Sequence, residues 1–203
     1  KECENASCRD FSDEGAEMKI FKKRKTVPDR FHSTTKIQTS ARISRDTVVG
    51  SYCYIGDRCD VTKATIQNYV SIANNVSIGA GEHILNEIST SSLFYDEPYK
   101  LLTQGDSLVC SDAWIAVNAV VRRGVTIGFG AVVGASSFVN ADVPNFAIVA
   151  GSPARIIRYR FPPSIQALVL QSEWWALDYD DAKKAIHEIK RSKLYQDFIA
   201  KSR

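Results

Sequence analysis

The stretch Ile37–Ile78, "IQTSARISRDTVVGSYCYIGDRCDVTKATIQNYVSIANNVSI", decides how this chain folds. Every sixth residue from Ile37 gives Ile43, Val49, Ile55 and Val61; one five-residue step leads to Ile66, and sixes resume with Ile72 and Ile78. The comb then stops, restarts at Val109 and runs through Ile115, Val121, Ile127, Val133 and Val139, so all fourteen positions are Ile or Val. A helix wants apolar residues 3.6 apart and a single strand wants them every second residue, and six matches neither. It is the period of a β-solenoid whose hexapeptides each form one short side of a triangular coil, with the branched residues stacked inside.

A second comb lies four residues beyond the first: Ala41, Thr47, Cys53, Cys59, Val70, Val76, Ala113, Ala119, Val125, Ala131, Ser137 and Val143. Small or β-branched side chains at that phase fit beside the corners of the coil. Cys53 and Cys59 belong to it and read as packed thiols. Three hexapeptides close a coil, so fourteen predict between four and five coils and, at the strand spacing of about 4.8 Å, a prism about 20 Å tall.

Working outward, the comb ends in "VNADVPNFAIVAGSPARIIRYRF" (Val139–Phe161), where prolines and a Gly-Ser-Pro turn stop the repeat. Beyond Pro163 the pattern is helical: "SIQALVLQSEWWAL" opens at Ser164, a predicted N-cap, and "DYDDAKKAIHEIKRSKLYQDFIAK" (Asp178–Lys201) carries apolar positions at three- and four-residue spacing. Trp174 and Trp175 are expected to anchor this appendage to the prism. The fold class is therefore an all-β solenoid of hexapeptide repeats with an extended loop and a C-terminal helical appendage. The predicted organisation is an N-terminal segment over 1–34, a solenoid over 35–160 with a loop at 79–108, and the appendage over 161–203.

The chain has 203 residues, 44% hydrophobic and 24% charged, with a net charge of +3. That is too small to argue for nucleic acid, and the basic run Lys19–Lys25 reads as a solvated segment. No apolar run approaches the ~20 residues needed to span a bilayer, and a cytoplasmic location is expected. The opening segment reads as weakly structured. Five cysteines (Cys3, Cys8, Cys53, Cys59, Cys110) without CxxC spacing predict reduced thiols, with neither a disulfide framework nor a metal site. "GFGAVVG" (Gly128–Gly134) is part of the comb, and its spacing fails the dinucleotide fingerprint.

The break in the comb, "IGAGEHILNEISTSSLFYDEPY" (Ile78–Tyr99), carries one of three histidines. Long irregular insertions in compact domains are usually functional or disordered. His32 precedes the repeat and His187 lies in the helical tail, whereas His83 sits where the comb breaks. With an unperturbed pKa near neutrality, a histidine suits a proton-abstracting role. Its other ring nitrogen needs an orienting group, and Glu82, Glu87 and Asp96 are the nearby carboxylates, of which Glu87 is favoured.

The comb, the histidine-bearing insertion followed by "ISTSSLFY", the helical "EWWALD" and the closing "GVTIGFGAVVGASSFVNADVPNFAIVAGSPARIIRYRF" together resemble the hexapeptide-repeat acyltransferases with a left-handed parallel β-helix. The branch they resemble is that of the xenobiotic acetyltransferases, which includes type B chloramphenicol and streptogramin acetyltransferases and many polysaccharide O-acetyltransferases. The resemblance covers about residues 35–178. It implies a homotrimer with sites between neighbouring prisms, acetyl-CoA as donor, and His83 as general base in a direct transfer without a covalent enzyme intermediate. It also implies basic residues on the CoA phosphates at Arg155 and Arg158, and backbone contacts to the pantetheine arm at Val117 and Ala135, with Asn140 further on.

Asn86, Ser89, Thr90, Phe94 and Tyr95 are candidates to line the acceptor pocket. The sequence departs from the family pattern at Arg123-Gly124, where Pro-Gly is frequent, and at Ala141, where a CoA-contacting lysine is frequent. The expected activity is O-acetylation of a sugar or glycan hydroxyl. Acetylation of chloramphenicol or a streptogramin is the alternative, and acetylation of an amino sugar stays open. A non-enzymatic solenoid scaffold is the rival from another class, and the histidine-bearing insertion and the two arginines speak against it.

Overall fold

The computed structural model describes residues 31–201, so Cys3, Cys8 and the basic run Lys19–Lys25 lie outside the described residues. Each comb residue is the inward member of a very short strand that pairs in parallel with the strands of the coils before and after it. In the first sheet the register stacks Ile37, Ile55, Ile72, Ile115, Val133 and Val149. In the second it stacks Ile43, Val61, Ile78, Val121 and Val139. In the third, Val49, Ile66, Val109 and Ile127 stack, and a single bridge adds Val143. From Ile55 to Val139 every one of these side chains is almost wholly buried. This column is the core.

Two corrections to the sequence reading follow. The solenoid has about six turns rather than four to five, because the first sheet gains a sixth parallel rung from the strand Ala147–Gly151. Val143, assigned above to the corner comb, instead caps the third wall on Ile127. A three-residue corner, 140–142, brings it there two residues earlier than the sixfold comb allows.

Corners are closed by left-handed residues such as Tyr52, Tyr69, Asn75, Asp112, Asn118 and Ser136. Such a conformation costs a non-glycine residue about 1 kcal/mol or more, and stacking against the next coil offsets it. At one recurrent corner an asparagine of the next coil accepts a backbone N–H below, as Asn74 Oδ1 does from Asp57 at 2.9 Å. This requires glycine beforehand: a Cβ on Gly56 would lie 2.4 Å from that same oxygen.

The three edges of the prism have different occupants. The edge between the first and second sheets is formed by tight corners, among them 116–119 and 134–137, and ends in the hairpin of Ala147–Gly151 with Ala154–Tyr159. The edge between the second and third sheets emits the insertion, which runs from Gly79 to Asp106 and holds a short helix α1, Pro98–Leu102. The strand after it starts at Ser107, so the loop is slightly shorter than predicted. On the remaining edge lie the C-terminal helices α2 (Pro163–Ser172), α3 (Tyr179–Arg191) and α4 (Lys193–Lys201).

The cap of α2 is Pro162, not Ser164. Pro163 fills the first helical position, where its fixed φ fits and its missing N–H is no loss. The two tryptophans anchor the appendage as expected. Trp174 is buried beside Tyr69 with ring centroids 5.1 Å apart, and Trp175 packs on Phe129 at 4.0 Å. Tyr69 donates its hydroxyl to the Leu177 carbonyl, and Asn68 donates to that of Trp175.

Ile115→Ala should destabilise the protein by about 2–5 kcal/mol, because a fully buried rung in the middle of the longest sheet would leave a cavity that rigid neighbours cannot close; denaturant unfolding measures it. Burial pushes the Cys53 thiol up to about 11 and raises Cys59 as well. Alkylation of the native protein at pH 8 followed by peptide mapping should therefore leave both unlabelled until the chain is unfolded.

Candidate active site

His83 stands on the insertion, five residues beyond Ile78, the middle rung of the second sheet. Its imidazole is exposed and faces the Tyr95 ring at a centroid distance of 6.3 Å. Tyr95, a candidate for the acceptor pocket, has its hydroxyl engaged inside the loop: it accepts from the Ile84 N–H at 3.1 Å and donates to the Thr90 carbonyl at 3.3 Å. It braces the backbone next to His83. Ser89 also works locally, accepting from Ser91 N–H. Asn86, Glu87 and Phe94 are exposed on the loop, together with Leu85, Ile88 and Leu93.

None of the three neighbouring carboxylates bonds His83 within the chain. Glu82 is turned to the prism, where Arg122 holds it in a two-pronged pair at 2.8 and 2.7 Å. Those hydrogen bonds keep its carboxyl below the ordinary range. Arg122 was not singled out from the sequence, and it comes from the same prism edge one coil further on.

Two further contacts fasten the insertion along that edge. Tyr99, in α1, donates to both carboxylate oxygens of Asp46 at 3.0 and 2.9 Å, two coils back. Lys63 pairs with Asp106 at 3.3 Å and donates to the Thr103 carbonyl at 3.1 Å. Lys63 sits in the corner 62–63, which is where the comb makes its five-residue step. The shortened corner lies directly beneath the insertion, and its carbonyl receives the Ser107 N–H as the chain rejoins the third sheet.

On the other edge of the second sheet, Val117 and Ala135 occupy equivalent corners in successive coils, joined by the bond from Ser136 N–H to the Val117 carbonyl at 2.9 Å. The next layer up is the hairpin tip. Gly151 N–H bonds Ser137 Oγ at 3.2 Å, and Arg155 follows as the second residue of the returning strand. Val117, Ala135 and Arg155 therefore form one line along this edge, with an exposed guanidinium at its end. Arg158 is not on that line. It lies back along the strand opposite Ile148, and it lines an open cleft of about 920 Å³ with Arg160, Phe161 and Phe198. Asn140 belongs to the His83 edge, in the uppermost corner.

Among the described residues no group of three or more His, Cys, Asp and Glu side chains could hold a metal ion, and no helix is long and apolar enough to cross a membrane.

No family model matches the sequence. Over 141 residues the chain is 36% identical to a chloramphenicol acetyltransferase of Klebsiella aerogenes, a match taking in 64% of this chain and 67% of that one. The chain belongs to the hexapeptide-repeat acetyltransferases. It is also 36% identical to a galactoside O-acetyltransferase of Escherichia coli, over 95 residues that make up 46% of this chain and 43% of that protein. The solved structure of a hexapeptide-repeat acetyltransferase from Vibrio cholerae superposes with a TM-score of 0.52 and 26% identity, over 64% of this chain and 72% of that one. As a hexapeptide-repeat acetyltransferase, the chain is an enzyme, and the scaffold alternative falls away.

The fastening of the loop predicts a pH dependence. Asp46, bonded first by Ser44 and then by Tyr99, and Glu82, bonded by Arg122, both titrate below their ordinary values of 3.8 and 4.5. A carboxyl lowered on folding contributes stability above its unfolded pKa and loses it as pH falls through the folded one. Hydrogen exchange of amides 80–106 should therefore be as slow at pH 5 as at pH 7, after correction for intrinsic rates, and should accelerate as pH drops below about 4, while the prism amides stay protected.

Proposed function

We propose that this acetyltransferase moves the acetyl group of acetyl-CoA to a hydroxyl, with His83 as general base and the donor laid along the Val117–Ala135–Arg155 line. The observation that carries this reading is the division of labour across the second sheet. The exposed histidine stands at one edge, directly after the fastened stem of the insertion, and the ladder of corner residues ending in a guanidinium lies along the other. Acyl transfer needs the proton of the attacking hydroxyl removed as the C–O bond forms and the thiolate leaves, and an imidazole can take that proton and deliver it to the departing sulfur. Small corner residues let an extended ligand approach the main chain, and Arg155 offers a fork for a phosphate. Arg158, set back from that line, is the weaker phosphate partner of the two.

Two edges of one sheet cannot face each other in a single chain. A homotrimer packed through the second sheet would set the His83 edge of one prism against the donor edge of the next. Val120 and Phe138, exposed on the outer face of that sheet, would be covered in the process, and so would the apolar loop tip at Leu85, Ile88, Leu93 and Phe94. Glu87 or a residue of the neighbouring copy then orients His83.

The acceptor we favour is a sugar or glycan hydroxyl. A second reading, an aromatic drug alcohol of the chloramphenicol type, is favoured by the apolar loop tip and by the longer stretch of similarity to the chloramphenicol enzyme.

A panel of galactosides, glycan fragments, amino sugars, chloramphenicol and a streptogramin, read by thiol release from acetyl-CoA, separates these acceptors. His83→Ala should lower kcat by a factor of about 10²–10⁴ with the oligomer intact. Near-normal turnover by His83→Ala would remove it from the mechanism.

A further inference from the structure

Arg122 and Arg123 are consecutive residues in one corner, yet they point to opposite sides of the chain. Arg122 faces outward to Glu82, whereas Arg123 is turned inward and is 8% exposed. Its guanidinium has five N–H donors, and all five end on main-chain carbonyls. Nε donates to Ala80 at 3.3 Å; Nη1 donates to Thr103 at 3.2 Å and Gly105 at 2.9 Å; Nη2 donates to Thr62 at 3.4 Å and to Gly79. Gly79 and Ala80 form the outgoing stem of the insertion, Thr103 and Gly105 the returning stem, and Thr62 belongs to the shortened corner beneath. One side chain thus ties both ends of the loop to each other and to the coil below.

The surroundings are shaped around this guanidinium. Gly79 has φ +65°, and a Cβ there would meet the Thr62 carbonyl at 2.4 Å and Arg123 Nη2 at 3.4 Å, so only glycine lets the stem lie against it. Among the described residues no carboxylate hydrogen-bonds it; burial lowers its pKa, and the five carbonyl dipoles, with Tyr99, Asp106, Glu82 and Asp46 acting at longer range, compensate the charge. The next two links complete the path. Gly81 packs on Leu102, and Glu82 donates its N–H to the Leu102 carbonyl at 2.9 Å while Arg122 takes its side chain. Residues 79 to 82 are therefore fixed one after another, and His83 is the first residue beyond the fixed segment.

We infer that Arg123 is a positioning residue for catalysis: by holding both stems of the insertion it sets where His83 stands relative to the neighbouring prism edge. This rests on the reading of His83 as the base. A displacement of about 1 Å of a reacting group can cost about a hundredfold in rate, so the prediction concerns turnover more than donor affinity, because Arg123 touches none of Val117, Ala135 and Arg155, the residues proposed to hold the donor.

The test compares Arg123→Met, which keeps the length and removes the donors, and Arg123→Lys, whose ammonium can satisfy at most three carbonyls, with wild type and His83→Ala. Hydrogen exchange and steady-state kinetics are measured with acetyl-CoA and the acceptor from the panel that turns over fastest. Arg123→Met is expected to speed exchange of amides 80–106 at least tenfold while Val109–Val149 stays protected. Its kcat should fall 30- to 100-fold with the KM for acetyl-CoA within about twofold of wild type. Arg123→Lys, the milder change should Met not fold, is expected to recover part of both the protection and the kcat. His83→Ala is expected to lose turnover with loop protection unchanged. Wild-type loop protection and kcat in Arg123→Lys and Arg123→Met would overturn the proposal, as would a loss spread over the whole prism. Normal turnover by His83→Ala would remove the base assignment and with it the link from Arg123 to catalysis, while loop protection in the Arg123 variants would still decide whether this side chain holds the insertion.

Discussion

No side of a coil in this protein can support itself. Nearly all the strands are two or three residues long, too short to hold a register alone, so each exists because an identical strand lies about 4.8 Å above or below it and because its one inward Ile or Val lands on its counterpart. Everything else depends on that vertical coincidence. Corners must be tight enough to return the chain in phase, which is why so many non-glycine residues accept a left-handed backbone. An insertion is tolerated only if the chain resumes in register, and Ile115 stacks on Ile72 as directly as Ile72 does on Ile55. The insertion leaves the column undisturbed.

With the interior uniform, function has to be distributed over the edges. One is padded by aromatic side chains and helices, with the half-buried Arg160–Asp112 pair at 2.9 Å fixing the start of the appendage. A second carries the loop, pinned at Asp46, Lys63, Arg122 and Arg123, and the third is the bare ladder of small corners. The bare edge and the loop edge flank the same sheet, the one whose outer face carries exposed Val120 and Phe138. On the proposed assignment, a monomer shaped in this way carries half of a site on either side of an uncovered wall.

The sequence discloses this architecture unevenly, and for a physical reason. Rungs are legible because their spacing is enforced by the column. The fourteen comb residues all lie on the three inward stacks, and the break marks the insertion correctly. Val143 and Val149 escape the comb because the corner between Val139 and Val143 has three residues, which shifts the phase just where the repeat closes. The five-residue step at Val61–Ile66 is visible in the sequence, but its role as the seat of the loop is not, since Lys63 meets Thr103 only through space. The same holds for Arg122 and Tyr99, whose partners are 40 and 53 residues away. Arg123 was legible only as a departure from the family pattern. Nothing in composition says that a charged residue at that corner points inward.

Between Ala80 and Leu102 no residue is buried within the chain, whereas the stems on either side are locked by main-chain contacts. Arg123 holds the stems by their carbonyls, an attachment indifferent to the side chains it attaches, and the side-chain pins at Glu82, Tyr99 and Asp106 all lie outside the tip. The residues from Ile84 to Asp96 can therefore be exchanged without the prism registering the difference. With the tip lining the acceptor pocket, as proposed, the choice of acceptor can be rewritten separately from the folding problem, and diverse acceptor preferences can arise on one unchanging column.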